Sequence, residues 1–233
     1  PTPPVRVAGA LLLELHAEDY DGGAGTWRNR APAAAALGGG YSGGDFVVTG
    51  ANTTWPTRRV VDGAPAVVFN ATADGVADRL ESNSSWLPAG AYGGSDWSLE
   101  AWAYQSAYAG ENPLLQWGPR QGTCNSAFTG MGGDSRWGAG GFYGCDQPFG
   151  PTDPYPYMAS AGLASNSGVT PVKGRWHHLV WSFTGASGVP ANVLTVYVDG
   201  VISTAVAPRA LNILRPGNSL IMGGYRDTAG GYN

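Results

Sequence analysis

Lysine is nearly missing from this 233-residue chain: Lys173 is the only one among 13 basic residues, and no basic run occurs. Nucleic-acid binding relies on clustered cations facing phosphates, so a nucleic-acid partner is not expected. The formal charge of -4 is too weak to point to any particular partner. Cysteine is scarce as well, with only Cys124 and Cys145, and histidine occurs three times, at His16, His177 and His178. That inventory does not resemble a zinc cluster. A Cys124–Cys145 disulfide, formed in an oxidising compartment, is the leading reading, and two free buried thiols are the alternative.

Long apolar runs are missing too. Leu11-Leu12-Leu13 is interrupted by Glu14, far below the length of a membrane span, so no membrane insertion is expected. There is no Gly-x-Ser-x-Gly elbow and no lysine-bearing phosphate loop. Glycoside hydrolysis needs two carboxylates facing each other across a cleft. The nearest approach is Asp96 and Glu100, which share a strand face but are separated by Ser98, with Asp96 at the strand mouth. No catalytic residue is assigned, and the chain is not expected to be an enzyme.

What the chain does have is turn residues and aromatics: 37 Gly and 17 Pro, with 9 Trp, 11 Tyr and 6 Phe to fill a core. The aromatic content argues against disorder, and the length suits one large all-β domain. Val5 to Leu15 reads as a first strand, followed by an acidic turn from His16 to Gly23. Short strands are expected at Asp45–Thr49, Arg59–Val61 and Ala66–Phe69, the last two joined by Asp62-Gly63. Ser95 to Gln105 has clean period two, with Trp97, Leu99, Ala101 and Ala103 on one face. Ser98, Glu100, Trp102 and Tyr104 lie on the other. Further strands are expected at Asn112–Gly118, in the glycine-rich stretch Gly122–Gly150, and at Leu220–Gly224.

The densest signal is Gly174-Arg175-Trp176-His177-His178-Leu179-Val180-Trp181-Ser182-Phe183, then Leu194-Thr195-Val196-Tyr197-Val198-Asp199-Gly200 with Val201-Ile202. It reads as two antiparallel neighbours and a hairpin closed by Asp-Gly. Neighbours in a strand point to opposite faces, so one of the adjacent His177 and His178 should be packed and the other exposed.

These segments, with Asp62-Gly63-Ala64-Pro65-Ala66-Val67-Val68-Phe69, Trp97-Ser98-Leu99-Glu100-Ala101-Trp102-Ala103-Tyr104 and Ile221-Met222-Gly223-Gly224, resemble the laminin-G-like, concanavalin-A-like jelly-roll modules of secreted proteins. The resemblance spans Leu11 to Gly224. It implies an all-β, two-sheet antiparallel β-sandwich over residues 5–233; before it, Pro1-Thr2-Pro3-Pro4 reads by composition as the end of a stiff proline linker. The family's final strand has no counterpart after Tyr225, so that strand is expected from beyond residue 233 or from another chain segment.

Such modules often carry calcium on the sheet rim, where carboxylate and carbonyl oxygens converge. The available sets are Glu18, Asp19 and Asp21; Asp74 and Asp78; and Asp146 with Asp153, the last flanking a rigid proline loop and preferred here. A sugar would need an aromatic platform with polar neighbours, for which Trp117, Arg120, Asn125, Trp137, Tyr143 and Asp146 are the candidates. Acceptor patterns for N-linked sugar occur at Asn52, Asn70 and Asn83.

The expectation is a non-catalytic recognition or adhesion module of a larger extracellular or cell-surface protein. Its partners would be carbohydrate or extracellular protein, together with other domains of the same polypeptide. One alternative is a structural domain of a glycosylated surface filament contacting neighbouring chains. Another is an accessory domain of a glycoside hydrolase.

Overall fold

The computed structural model describes residues 10–31, 44–48, 55–70, 78–82, 87, 91–106, 111–117, 127–132, 139–141, 172–185, 188, 193–206, 212–213 and 220–224. Among them the elements are β-strands and one 3₁₀ turn, Ala17–Asp19. The strands are β1 (Tyr20–Asp21), β2 (Thr26–Trp27), β3 (Phe46–Val48), β4 (Thr57–Val61), β5 (Ala64–Val68), β6 (Leu80–Ser82) and β7 (Trp97–Tyr104). There follow β8 (Glu111–Trp117), β9 (Ala127–Gly132), β10 (Ala139–Gly141), β11 (Trp176–Thr184), β12 (Val193–Val198), β13 (Val201–Val206) and β14 (Ile221–Met222).

All recorded pairings are antiparallel. A major sheet has eight strands in the order β1-β2-β3-β6-β14-β8-β9-β10, a minor sheet has four in the order β13-β12-β11-β7, and β4 pairs with β5 alone. The chain is therefore all-β, with an arrangement compatible with a β-sandwich. Both Asp-Gly pairs close tight hairpins: Asp62 and Gly63 have φ of 46° and 78°, Asp199 and Gly200 of 52° and 79°. Two successive left-handed residues match the right-handed twist of the flanking strands, and Asp and Gly tolerate that conformation best.

β11 is the spine of the minor sheet. Its side chains alternate without a break: His177, Leu179, Trp181 and Phe183 are buried, and Trp176, His178, Val180, Ser182 and Thr184 are half-buried. β7 lies beside it with Leu179 opposite Ala101, Trp181 opposite Leu99 and Phe183 opposite Trp97. On the other flank Trp181 faces Val196 of β12. The inner face of this sheet shares one core with Tyr20, Phe46, Leu80, Leu115 and Trp117 of the major sheet. Trp97 joins the two layers, stacked on Phe183 at 5.7 Å and edge-on to Trp117 at 4.8 Å. Burial of such side chains contributes about 1.5–3 kcal/mol each, and favourable ring geometry adds about 0.5–1.5 kcal/mol per pair.

Two expectations need correction. Leu11 to Leu15 are not a strand; residues 5–9 of the expected element lie outside the described residues. Leu12, Leu13 and Leu15 still pack on the core, but in place of a ladder the segment is held by the Asn29 side chain and by one backbone bond, Arg30 N–H to the Glu14 carbonyl at 2.9 Å. Asn29 donates from Nδ2 to the Leu12 carbonyl at 2.9 Å and accepts the Glu14 N–H through Oδ1 at 2.9 Å. In the glycine-rich middle, the short strand that the sequence places at Asn125–Gly130 runs further: β9 spans Ala127–Gly132 along β8. Pro113 of β8 sits where the β8–β9 register shifts, the position at which a residue without an N–H costs least.

Candidate functional site on the open face of the minor sheet

The outward positions of the minor sheet are Ser98, Glu100, Trp102 and Tyr104 on β7, and Trp176, His178, Val180, Ser182 and Thr184 on β11. Tyr197 of β12 continues the row beside Val180, with Ile202 of β13 beyond it. On the edge strand β7 stands Trp102, 66% exposed, directly opposite His178. The His178 and Trp102 rings lie 5.0 Å apart at 33°, so the imidazole supports the indole from one side. His178 Nε2 meets Glu100 Oε1 at 2.9 Å, with the carboxylate side chain 62% exposed and the imidazole 29%. Lower on the face, Tyr104 and Trp176 form an edge pair at 5.7 Å, and the Trp176 indole N–H donates to the Val61 carbonyl at 2.9 Å. None of the outward strand positions named here is lysine or arginine.

Beneath this face the neighbouring histidine does something different. The His177 ring is fully buried, with Nδ1 2.9 Å from Asp199 Oδ2 and Nε2 within 3.0 Å of both the N–H and the carbonyl of Val172. Asp199 Oδ1 accepts the His178 N–H at 3.0 Å, and Asp199 Oδ2 also takes Arg175 at 3.1 Å. Burial works against the charged form of Asp199, but the His178 N–H, the His177 ring and Arg175 outweigh it and hold the carboxyl below its ordinary value. The aspartate–histidine pair looks like part of a catalytic triad, yet the place of a nucleophile is filled by Val172 backbone. It is a clamp tying the approach to β11 onto the β12–β13 turn.

Asp96 is also structural: its Oδ1 accepts the Gly185 N–H at 2.6 Å, fastening the start of β7 to the end of β11. Four residues along a strand separate Asp96 from Glu100 by about 13 Å, beyond the spacing of about 5–9.5 Å used by glycosidase carboxylates.

Of the residues expected to bind a ligand, Trp117 is 8% exposed and packs on Trp97, which removes it from any exposed platform. The reason is register: Trp117 ends a strand whose side chain there turns to the shared core. Arg120, Asn125, Trp137, Tyr143, Asp146, Asp153, Cys124, Cys145, Asn52, Asn83 and Asp74 lie outside the described residues. Asn70 is exposed just past β5, its N–H and Nδ2 directed to Asp78 Oδ2 at 3.0 and 3.3 Å.

Two carboxylates of the Glu18, Asp19 and Asp21 set have partners within the chain. Asp19 is held by Arg30 at 2.6 Å, and Asp21 Oδ1 accepts the Gly23 and Ala24 N–H groups at 2.9 and 3.1 Å. Among the described residues no three His, Cys, Asp or Glu side chains gather around a common point. Asp78 is fully buried with Oδ1 unpartnered among the described residues, but its other oxygen is engaged by Asn70. No helix among the described residues is long and apolar enough to cross a membrane.

The cluster of Glu100, Trp102 and His178 was only partly visible in the sequence. Period two placed Glu100 and Trp102 on one face, but only the β7–β11 register brings His178 against both. Comparison of the chain with protein-family models, with curated proteins and with solved structures finds no match in any of the three.

Proposed function

We propose that this chain is a non-catalytic recognition module of an extracellular protein, a concanavalin-A-like jelly roll that binds carbohydrate on the open face of its minor sheet. The observation that carries this reading is Trp102, two-thirds exposed at mid-strand and buttressed by His178, with Glu100 alongside. A flat aromatic ring offers the C–H face of a pyranose a stacking surface, and the carboxylate and imidazole offer directed partners to its polar groups. The low charge of the face and the structural duties of Asp96, His177 and Asp199 support binding over catalysis.

A panel of immobilised neutral and charged oligosaccharides tests the reading. The wild-type chain should retain a subset, and Trp102→Ala should lose them while keeping its circular dichroism spectrum. Retention unchanged in Trp102→Ala would move the site elsewhere.

A further inference from the structure

Charge on the open face selects among sugars. Glu100 is the only acidic residue among the outward strand positions named above, and no lysine or arginine accompanies it there. Its side chain is 62% exposed, and among the described residues its partner is His178 at 2.9 Å. Glu100 and Trp102 are alternate residues of one strand, so their side chains rise side by side about 7 Å apart. A substituent on a pyranose stacked against the indole reaches the carboxylate from there. Anionic sugars meet like charge at Glu100. Neutral ones gain only a hydrogen bond to it. A protonated amine gains an ion pair with the carboxylate and the attraction of the indole face together.

We infer that the Trp102–Glu100 site takes an amino sugar with a free, protonated amine, a glucosamine unit in place of its N-acetylated form. This rests on the carbohydrate reading above and narrows it. His178 has two tasks here: its ring packs against the indole, and its Nε2 holds the Glu100 carboxylate at 2.9 Å.

The test is calorimetric titration of the 233-residue chain with two short probes of equal length, a fully deacetylated glucosamine tetramer and its fully N-acetylated counterpart, at neutral pH. The deacetylated tetramer should bind at least tenfold more tightly. Glu100→Gln should bring the two affinities together by weakening only the deacetylated probe, whereas Trp102→Ala should weaken both. Because the whole chain is acidic, with a pI near 5.2, Glu18→Gln serves as a control: Glu18 is exposed and lies off the minor sheet, and its loss should leave the preference intact.

Equal binding of the two probes, or a preference that survives Glu100→Gln or disappears in Glu18→Gln, overturns the amino-sugar inference and leaves the carbohydrate reading standing. A lysine tetrapeptide that binds more tightly than the amino sugar overturns it in favour of a protein ligand. Failure of both sugars to bind the folded chain overturns it too. The neutral members of the oligosaccharide panel then decide separately whether the carbohydrate reading survives.

Discussion

His177 Nδ1 lies 2.9 Å from Asp199 Oδ2, joining a buried ring on β11 to the left-handed first residue of the β12–β13 turn. The same aspartate caps the His178 N–H, so one side chain serves a turn, a strand and a buried imidazole. Because these partners lower the pKa of Asp199, its carboxylate stabilises the fold above its unfolded value of about 3.9, and the contribution fades as pH falls through and below that value. Asp199→Asn preserves the turn, since Asn-Gly suits the same left-handed pair. At pH 7 the variant should be less stable by about 1 kcal/mol, a figure reduced for screening because the side chain is 37% exposed. Urea denaturation at stepped pH should show the gap from wild type closing below about pH 4. A gap independent of pH would dissociate the clamp from the charge.

Two tryptophans of the minor sheet should respond in opposite ways. Trp181→Ala empties a fully buried site and should cost about 3–5 kcal/mol. Trp102→Ala removes an exposed ring supported by one cross-strand neighbour and should cost no more than about 1 kcal/mol. Denaturation midpoints of the two variants check this directly. A large loss in Trp102→Ala would mean that the ring serves the fold.

Gly223 follows β14 at a φ of 76°. A Cβ there would lie 2.3 Å from a Phe69 ring carbon and 2.8 Å from the Asp78 carbonyl oxygen. Gly223→Ala combines a disfavoured backbone with a clash against main chain, and should destabilise by about 2–5 kcal/mol. A thermal midpoint within a degree of wild type would show that this corner relaxes freely.

Asp78 latches the chain on either side of residues 71–77, accepting the Asn70 N–H through its side chain while its own N–H reaches the Asn70 carbonyl at 3.1 Å. Asp78→Ala should cost about 1–3 kcal/mol by leaving the Asn70 groups without this partner. Proteolysis should then cut between Asn70 and Asp78 faster than in wild type. Unchanged cleavage would show that the latch does not govern access to this segment.

Much of the strand order in the sequence was legible because local chemistry and structure agree. Asp62-Gly63 and Asp199-Gly200 are turn pairs whose conformation few other residues adopt, and both turns form where they stand. β7 and β11 alternate over their full lengths, so their inner and outer faces could be separated before any pairing was known. Leu11 to Leu15 also reads as a strand, but its polar backbone finds Asn29, a side chain fifteen residues from Glu14, which no local pattern announces.

The inner residues of β7 and β11, the tight turns and the opposed directions of His177 and His178 were therefore determined by the sequence alone, through residue geometry within a few positions. The tertiary structure decided which tryptophan became core and which stayed open. Trp117 and Trp102 both sit on strands, and only the layer packed against each distinguishes them: Trp97 closes over the first, and nothing comparable covers the second among the described residues. It also set Glu100 against His178, 78 positions apart in the chain. Strand pairing across that distance is governed by how two sheets bury their apolar faces together, a global requirement that no local stretch of sequence contains.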